Sequence, residues 1–409
     1  MTTLMIVEPV ATGHRMVLYV RLIVTEALSR GLTVILLTTT EATSHDACKS
    51  VLAEFGDRLK VATMPDLPRG GRSRFELFRS QYRWIRAFQA GFRAVSRHER
   101  IDFVYIPYFN YIDKVIGYYG SPFDGVPFGG MMVAAKFHHA RCGIVGLRGK
   151  QDAINELFFR LALRVRNLAL LTSIDEPLTE FVNRSIRRHI KKVRYVPDVS
   201  TIRRPAERSS ARSAYGFLPS DFVILLYGSI ARRKGLGKIL SLFSAADLPA
   251  NFRLLLVGSQ DEEAKRMIEA FFVQHPKRRK QLRIVDHFVT DMEEGQSFAC
   301  ADIVWLCYED FSGMSGVLIQ SAQAGVPVVT AGYGLIERYR EKHALGIRWR
   351  DIVDAGGEEI RFNWTHLVES ACAIGGAPRL RGFAEQHTPQ AFGRNVVDAI
   401  VAARNGSDA

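Results

Sequence analysis

The sequence IVWLCYEDFSGMSGVLIQSAQAGVPVVT, residues 303–330, combines a strand, a loop of small residues, a helix and a second strand. Ile303–Leu306 is an apolar run of strand type, and the loop 309–316 holds two serines and two glycines. Gly325 ends the helix pattern, and Val326–Val329 resumes as a buried strand. A helix that begins at such a loop directs free backbone N–H groups and its positive dipole end toward the loop. The pattern therefore predicts an anion site suited to a phosphate.

A second unit of this kind lies upstream, in VILLYGSIARRKGLGKIL, residues 223–240. Its turn carries three consecutive cations, Arg232, Arg233 and Lys234, between a strand and a helix. An isolated turn of either kind is common in α/β proteins and more often binds nothing. Together, one unit offers N–H donors and the other offers cations, which is what a nucleotide diphosphate needs.

Length and composition indicate a two-domain globular protein. The chain has 409 residues, of which 47% are hydrophobic and 24% charged, and this length favours two domains of roughly 200 residues each. No apolar run is long enough to span a membrane, and Met1–Val10 has a strand pattern interrupted by Glu8 rather than a signal-peptide pattern. We therefore expect a cytoplasmic protein, either free or peripheral on the inner face of the membrane.

The five cysteines are scattered and include no Cys-x-x-Cys pair. Their odd number and spacing argue against a disulfide framework and against a zinc site. The chain also lacks an Asp-x-Asp sequence. We therefore expect no metal.

Strands and helices alternate along the first half of the chain and again after a break, as in parallel sheets with helices on both faces. Helices such as Met16–Ser29 and Ile154–Asn167 fall between the strands. The expected strands are Leu4–Val7, Val34–Thr38, Val61–Met64, Phe103–Ile106, Val126–Ala134, Ala169–Thr172, Val223–Tyr227, Arg253–Val257, Leu282–Val285, Ile303–Leu306 and Pro327–Thr330.

The break, residues 196–222, is rich in Pro, Ser and Arg and has the composition of an interdomain linker. We predict an α/β fold of two doubly wound, Rossmann-like domains facing a cleft, with ligands beyond the carboxyl ends of the strands. The predicted divisions are a first domain 1–198, a linker 199–219, a second domain 220–385, and a C-terminal helix 386–409.

Strand order, linker and motifs resemble GT-B glycosyltransferases, and are most similar to the family-4 retaining enzymes (glycosyl transferases group 1), most firmly over 196–346. The resemblance implies that domain 1–198 binds the acceptor, that domain 220–385 binds the nucleotide sugar, and that the C-terminal helix 386–409 packs back toward the first domain. In that family a strand ends in Gly-Arg, a Lys-Gly follows five residues after the Arg, and the Arg and Lys bind the donor diphosphate. Gly228, Lys234 and Gly235 match this motif, whereas Ser229 stands at the Arg position. The resemblance leaves Arg232 or Arg233 to supply the charge.

The family's second motif has two glutamates separated by seven residues, before Gly-x-Pro-Val. The sequence Gly-Val-Pro-Val at 325–328 sets the register and places Ser312 and Gln320 at the two acidic positions. A subgroup version of this loop, Ser-Gly-Val-Leu followed by Tyr-Gly-Leu, matches residues 315–318 and 333–335. The resemblance implies that Gln320 bonds ribose hydroxyls and that Glu309 serves a sugar hydroxyl. The other loop residues implied in donor binding are Ser312, Gly313, Met314, Ser315 and Gly316.

In the N-terminal half, Gly13 and His14 follow the first strand, where the family has a small-residue loop against donor and acceptor. His138 and His139 follow the strand-like run 131–137, where a family histidine reaches the donor sugar. A histidine pair is more often structural, so the resemblance implies a catalytic role for one of the two.

The resemblance implies transfer of a sugar from a nucleotide-diphospho-sugar to an acceptor hydroxyl with retention, in polysaccharide or glycoconjugate synthesis. Lys234, an arginine of its loop and the loop amides would stabilise the negative charge of the leaving diphosphate. The departing phosphate takes the acceptor proton in this family, so neither a protein base, a cofactor nor a metal is implied.

The net charge of +13 indicates an anionic partner. Arginines interleave with apolar residues at helical spacing over 69–100. The apolar face either packs on the core with the arginines in solvent, or lies on an anionic membrane surface that carries a lipid-linked acceptor.

Two rival hypotheses remain. Nucleic-acid binding would use the positive charge, but the sequence has no recognition motif, so we expect no nucleic-acid partner. The second keeps the fold without the transfer, as a sugar-nucleotide epimerase or as a degenerate GT-B subunit. Ser229, Ser312 and Gln320 at the positions of the usual charged residues are the argument for the degenerate subunit.

Overall fold

A computed structural model describes residues 2–13, 15–66, 74–146, 149–354 and 361–406. The chain divides into two compact units. Unit 1 consists of Met1–Gly143, Arg148–Asp198 and Pro389–Ala409, and unit 2 of Ile144–Leu147 and Val199–Thr388.

Strands and helices alternate in both units. The strands are β1 (Thr3–Val7), β2 (Thr33–Thr39), β3 (Leu59–Met64), β4 (Phe103–Ile106), β5 (Phe128–Met132), β6 (Leu168–Ser173), β7 (Val193–Tyr195), β8 (Phe222–Tyr227), β9 (Phe252–Val257), β10 (Leu282–Val285), β11 (Ile303–Leu306), β12 (Val328–Thr330), β13 (Gly346–Arg348), β14 (Val353–Asp354) and β15 (Arg361–Phe362). The α-helices are α1 (Arg21–Ser29), α2 (Thr40–Ser44), α3 (Asp46–Phe55), α4 (Arg74–Ser96), α5 (Ile116–Tyr119), α6 (Asp152–Ala162), α7 (Glu176–Ser185), α8 (Arg208–Tyr215), α9 (Leu236–Ser244), α10 (Glu262–Gln274), α11 (Asp291–Cys300), α12 (Gly316–Gln323), α13 (Gly334–His343), α14 (Trp364–Ile374), α15 (Pro378–Gln386) and α16 (Pro389–Asn405).

Unit 1 is built on a seven-stranded sheet in the order β3-β2-β1-β4-β5-β6-β7. Its strand pairs are parallel, and β1 is buried along its whole length, as expected for a sheet covered by helices on both faces. The strand order reverses between β1 and β4. This is the switch point beyond which ligands of such sheets bind.

Unit 2 repeats the arrangement with the six-stranded order β10-β9-β8-β11-β12-β13. Its switch point lies between β8 and β11, which pair in parallel. The backbones after β8 and β9 approach closely, because a Cβ on Gly258 (φ +127°) would lie 2.2 Å from the Gly228 oxygen. The prediction of two doubly wound Rossmann-like units is confirmed.

Helix α4 covers most of the arginine-rich segment 69–100, of which 69–73 lie outside the described residues. Ile85, Phe88 and Phe92 are at most 2% exposed and belong to the unit 1 core. Arg93 is exposed and pairs with Asp124 at 2.7 Å. Since these apolar residues are buried, the arrangement matches the first interpretation of this helix, a core-packed face with arginines in solvent. Among the described residues, no helix combines the length and apolarity needed to cross a bilayer.

The segment predicted as a linker contains a helix, α8, that packs into unit 2. Ala211 and Tyr215 are buried in its core. Arg212 is also buried, since it donates to the Asp302 carboxylate at 2.8 Å and to three backbone oxygens between 2.8 and 3.0 Å. The polar composition of this segment suggested a linker. The helix can nevertheless be buried, because the fold supplies hydrogen-bond partners for Arg212.

The bounds of several other elements differ from the predicted ones. The helix expected over Met16–Ser29 begins as a π-helix, Arg15–Val20, before α1. The C-terminal region 386–409 belongs to unit 2 up to Thr388, and α16 then packs within unit 1.

Candidate active site

The loop after β8 places Lys234 at the switch point of unit 2. Gly228 (φ +97°) turns the chain out of the sheet, and a 3-10 turn, Arg232–Lys234, leads through Gly235 (φ +78°) into α9. A Cβ on Gly235 would lie 2.2 Å from the Cys307 oxygen, so the loop packs directly on the end of β11. The positive φ at both positions therefore requires glycine.

The Lys234 side chain is buried between the ends of β8 and β11, with the residue 6% exposed. Its ammonium donates to the Tyr227 oxygen at 3.0 Å and to Tyr308 Oη at 2.7 Å, and it lies 4.5 Å from the centroid of the Tyr308 ring. A Cβ on Gly228 would lie 3.2 Å from Nζ. The positive charge is thus fixed beside the backbone that follows β8.

The two arginines of this turn point to different partners. Arg232 is exposed and pairs with Glu263 on α10 at 3.4 Å. The Arg233 guanidinium lies 5.9 Å from the centroid of Phe311, a residue of the loop after β11. Ser229 is exposed in the same loop as Lys234. The structure therefore brings Arg233, rather than Arg232, toward the small-residue loop.

The loop 309–316 is held by the segment 333–335. Leu335 N–H donates to the Ser312 oxygen at 3.1 Å, and Tyr333 Oη donates to the Tyr308 oxygen at 2.5 Å. A Cβ on Gly334 (φ +74°) would lie 2.9 Å from the Cα of Ser312. The Tyr-Gly pair that follows β12 is therefore a structural partner of this loop.

Helix α12 begins at the end of this loop, after Gly313 and Met314. Ser315 is the N-cap residue, but its side chain caps no N–H of α12, and its Oγ lies 3.4 Å from Tyr308 Oη. In the first turn, Leu318 N–H donates to the Ser315 oxygen at 3.0 Å, and the N–H groups of Gly316 and Val317 lie ahead of this first bond of the helix. Tyr308 thus links the Lys234 ammonium to the start of α12.

Glu309 contacts the neighbouring loop and the helix α9. Its carboxylate pairs with Lys238 on α9 at 3.4 Å, while its N–H donates to the Arg233 oxygen at 2.6 Å. The residue therefore connects the two loops of the site.

A carboxylate that sequence reasoning missed stands beside Gln320. Gln320 Nε2 donates to Glu294 Oε1 at 2.7 Å, and Tyr227 Oη donates to the same oxygen at 2.9 Å. Burial and the Glu294 charge raise the pKa of Tyr227 well above its usual range. A carboxylate from the first turn of α11 therefore lies beside position 320. The capping box of Thr290 and Glu293 marks the start of α11, but no local pattern shows that Glu294 faces Gln320.

In unit 1, Gly13 (φ +71°) lies in the loop after β1, and His14 lies outside the described residues. Glu8, which directly follows β1, is fully buried and was not predicted as a site residue. Its Oε1 accepts from Tyr111 Oη at 2.6 Å and from Val10 N–H at 3.1 Å. Burial raises the pKa of Glu8 to about 7. A glutamate that interrupts an apolar strand run is the only sequence signal of this position.

His138 and His139 share one buried carboxylate, that of Asp175 after β6. Both Nε2 atoms bond to Asp175 Oδ2, at 2.9 and 2.7 Å. Burial lowers the pKa of His138. Burial alone would raise the pKa of Asp175, but the two imidazole hydrogen bonds outweigh it and lower that pKa. Neutral His138 therefore donates from Nε2 to the carboxylate.

The same three side chains form a possible metal-ligand set, since one ligand atom of each lies within 4.8 Å of the others. A metal on Nε2 of His138 would place the remaining ring proton on Nδ1, which is buried and has no partner among the described residues. Metal-bound histidines usually donate that proton to a second group. The arrangement therefore fits mutual hydrogen bonding better than metal coordination.

A cavity of about 810 Å³ in unit 2 lies at the opposite edge of the sheet. Its lining includes Phe222 and Val326, which lie at the amino ends of β8 and β12. The residues around Lys234 follow carboxyl ends instead. The cavity is therefore separate from the candidate site.

No family model matches the sequence, and no curated protein sequence matches it. Solved structures do match. Sucrose-phosphate synthase from Thermosynechococcus elongatus has a TM-score of 0.60 and 14% identity, covering 100% of this chain and 98% of that one. HepE from Anabaena in complex with UDP-glucose has a TM-score of 0.63 and 13% identity, covering 98% and 100%. A candidate UDP-N-acetylglucosamine 2-epimerase from Listeria monocytogenes has a TM-score of 0.53 and 12% identity, covering 97% and 95%.

These similarities extend over both units and establish the fold. The chain therefore has the GT-B fold, built from two Rossmann-like α/β units.

Proposed function

We propose that this protein is a glycosyltransferase that moves a sugar from a nucleotide-diphospho-sugar to an acceptor hydroxyl. The observation that carries the proposal is the buried Lys234 ammonium at the β8/β11 switch point, linked through Tyr308 to the start of α12. Such a cation beside the N-terminus of a helix suits a diphosphate. The complex of HepE with UDP-glucose supports a donor of this class.

In the proposed reaction, the bond between the sugar and the diphosphate breaks and the leaving group gains negative charge. Lys234, Arg233 and the amides of 313–316 stabilise that charge. Preorganised donors of this kind contribute roughly 3 to 4 kcal/mol each to transition-state stabilisation. We propose that no metal ion or further cofactor takes part, as the family resemblance implies.

The ribose of the donor would be held by Gln320 together with Glu294. Gln320 keeps its amide oxygen as an acceptor, because its amide nitrogen is the atom bonded to Glu294. Glu294 has a second carboxylate oxygen for a sugar hydroxyl. We propose retention at the anomeric carbon, as the family resemblance implies, and a role for Glu309 at a hydroxyl of the transferred sugar.

The acceptor would be a saccharide or a lipid-linked saccharide, used in polysaccharide or glycoconjugate synthesis at the cytoplasmic face of a membrane. A membrane contact through α4 would use its arginines, since Ile85, Phe88 and Phe92 are buried. One of His138 and His139 would act at the donor sugar. His139 is the better placed of the two, because its side chain is 8% exposed and that of His138 is 0% exposed.

A thermal-shift screen against UDP, GDP, ADP, CMP, dTDP and their common sugar conjugates tests the proposal. A ligand at 100 times its dissociation constant adds about 2.7 kcal/mol of stability. We expect stabilisation by one diphosphate family in wild type and in Lys265→Ala, which removes an exposed lysine of the same unit, but none in Lys234→Ala. Wild-type affinity in Lys234→Ala would refute the diphosphate assignment.

The similarity to the Listeria candidate epimerase supports an epimerase as the second candidate. An epimerase would release a changed nucleotide sugar without any acceptor. A degenerate subunit, for which Ser229 is the argument, would bind a donor without turning it over. Product analysis with and without methyl hexosides as acceptors separates these outcomes.

A further inference from the structure

A second cavity, of about 460 Å³ in unit 1, is lined mainly by basic side chains. Its volume falls within the range of roughly 300 to 1,000 Å³ that is usual for small-molecule sites. Ser185 and Ile186 complete the lining, which contains no carboxylate among the residues that the structure describes. The basic lining residues are Arg160, Arg164, Arg184, Arg187, Arg188 and His189. The cavity therefore concentrates positive charge.

The cavity lies at the edge of the unit 1 sheet opposite its switch point. Arg160 and Arg164 belong to the end of α6 and the turn before β6, and the other basic residues belong to the end of α7 and the 3-10 turn Arg187–Lys192 before β7. Each segment leads into the amino end of a strand. Asp175, which bonds the histidine pair, instead follows the carboxyl end of β6. The cavity is therefore separate from the residues of the candidate active site.

The fold fixes the two segments that carry the arginines. Lys192 Nζ donates to the Leu163 oxygen at 3.2 Å, which ties the 3-10 turn to the end of α6. Ile186 is buried in the unit 1 core, and its oxygen accepts from His189 N–H at 2.9 Å. The arginines therefore project from a fixed backbone, as a preorganised site requires.

Three of the five arginines form no ion pair within the described part of the chain. These exposed residues are Arg164, Arg187 and Arg188. Of the other two, Arg160 pairs with Glu156 at 2.8 Å, whereas the Arg184 guanidinium lies 3.9 Å from the Glu180 carboxylate. Carboxylates of the protein therefore neutralise only part of the charge at the cavity.

The helix dipole explains part of this arrangement. A cation near the C-terminal end of a helix is favourable, and Arg160 and Arg184 lie in the last turns of α6 and α7. The dipole does not explain why five guanidinium groups line one cavity, because like charges repel each other. A bound anion would remove that repulsion.

The imidazole of His189 responds to this positive charge. Burial lowers the pKa of His189, and the charges of Lys192, Arg188 and Arg164 lower it further. An anion in the cavity would favour the protonated imidazole and would raise the pKa of His189. This side chain is therefore a local reporter of anion binding.

We propose that this cavity binds a phosphate group, either a phosphomonoester or a diphosphate. Guanidinium groups suit this ligand, because each can donate two parallel hydrogen bonds to phosphate oxygens. The phosphate belongs either to a soluble phosphorylated ligand or to the headgroup of an anionic lipid. Since the cavity shares no residue with the candidate active site, the inference goes beyond the proposed function and does not depend on it.

Two double variants test the proposal. Arg187→Gln with Arg188→Gln removes two exposed arginines of the cavity. The control, Lys49→Gln with Arg58→Gln, removes the same charge from exposed positions elsewhere in unit 1. Pyrophosphate is the probe, and the readout is the NMR signal of the His189 ring, assigned by its loss in His189→Gln. Because this signal reports on the cavity, it distinguishes pyrophosphate bound there from pyrophosphate bound at the candidate donor site.

We expect pyrophosphate to shift the His189 signal in wild type and to raise the pKa of His189. The variant Arg187→Gln/Arg188→Gln should bind pyrophosphate about 10- to 100-fold more weakly, as expected for the loss of charged hydrogen bonds. The control should bind it as wild type does. An unchanged His189 signal in wild type, or equal weakening in the two double variants, would overturn the assignment. All four substituted side chains are exposed, so we expect both variants to fold.

Two further probes identify the source of the phosphate group. Glucose 6-phosphate represents a soluble ligand, and vesicles of phosphatidylcholine with phosphatidic acid represent a lipid headgroup, compared with vesicles of phosphatidylcholine alone. Binding that is weakened in Arg187→Gln/Arg188→Gln and retained in the control supports the site and identifies its ligand. Tighter binding of a random oligonucleotide, lost in the same variant, would overturn the proposal in favour of a nucleic-acid surface.

Discussion

Replacement of Glu8 by glutamine should remove a titration that weakens unit 1 at neutral pH. Burial raises the pKa of this carboxyl from 4.5 to about 7, despite the opposing effects of Tyr111 and Arg15. Between these two pH values the native protein holds a proton that the unfolded chain has released. The stability associated with Glu8 is therefore complete below pH 4.5, falls as the pH rises, and is lost above pH 7.

The magnitude follows from the two pKa values. They differ by about 2.5, and at about 1.36 kcal/mol per pKa unit the full loss is about 3 kcal/mol. Glutamine does not titrate and should show no such loss. Between pH 5 and pH 8, wild type should therefore lose about 2 to 3 kcal/mol of unfolding free energy relative to Glu8→Gln.

Urea unfolding is measured at these two pH values, and hydrogen exchange of the β1 amides is the readout. This readout reports on unit 1 separately from unit 2. Glu54→Gln, which alters an exposed carboxylate of the same unit paired with Arg21, should follow the wild-type pH dependence, because an exposed ion pair contributes at most about 1 kcal/mol. Parallel pH dependence of wild type and Glu8→Gln would refute the reasoning, since it would mean that Glu8 titrates in its ordinary range.

Two further predictions concern the donor site and α4. Glu294→Gln should weaken binding of the nucleoside diphosphate about tenfold in thermal-shift titrations, as expected for loss of one charged hydrogen bond, and unchanged affinity would exclude Glu294 from the site. Phe88→Ala should lower the unfolding free energy by about 3 to 5 kcal/mol, whereas Tyr82→Ala, at a residue 49% exposed on the same helix, should change it far less. Equal effects in urea unfolding would contradict the burial described for this helix.

The sequence predicts the sheets well because parallel strands covered on both faces are continuous apolar runs. β4 and β11, Phe103–Ile106 and Ile303–Leu306, have the predicted bounds. The turn glycines were also recognisable, because glycine is the residue that adopts positive φ most readily. Gly228 and Gly235 have positive φ in the structure. Local pattern was sufficient for these features because their causes are local.

The missed site residues depend on contacts that no local pattern contains. Glu294 meets Gln320 from another helix, 26 residues away in sequence. The raised pKa of Glu8 requires its burial, and its hydrogen bond comes from Tyr111, 103 residues away. Sequence motifs predicted the loops of the candidate site, whereas the carboxylates of Glu8 and Glu294 became visible only in the folded chain.

The last helix, α16, makes the order of synthesis differ from the order of assembly. Phe392 stacks on Tyr19 at 5.3 Å between ring centroids, and Arg30 pairs with Asp398 at 2.6 Å. A Cβ on Gly393 would lie 2.9 Å from the Leu22 oxygen, so α16 packs closely on α1. On the ribosome, every residue of unit 2 is therefore made before unit 1 receives its last helix. In the nascent chain, the surface of α1 that α16 covers therefore stays exposed while some 360 further residues are added. A truncated polypeptide that ends after unit 2 would leave that surface uncovered and prone to aggregation.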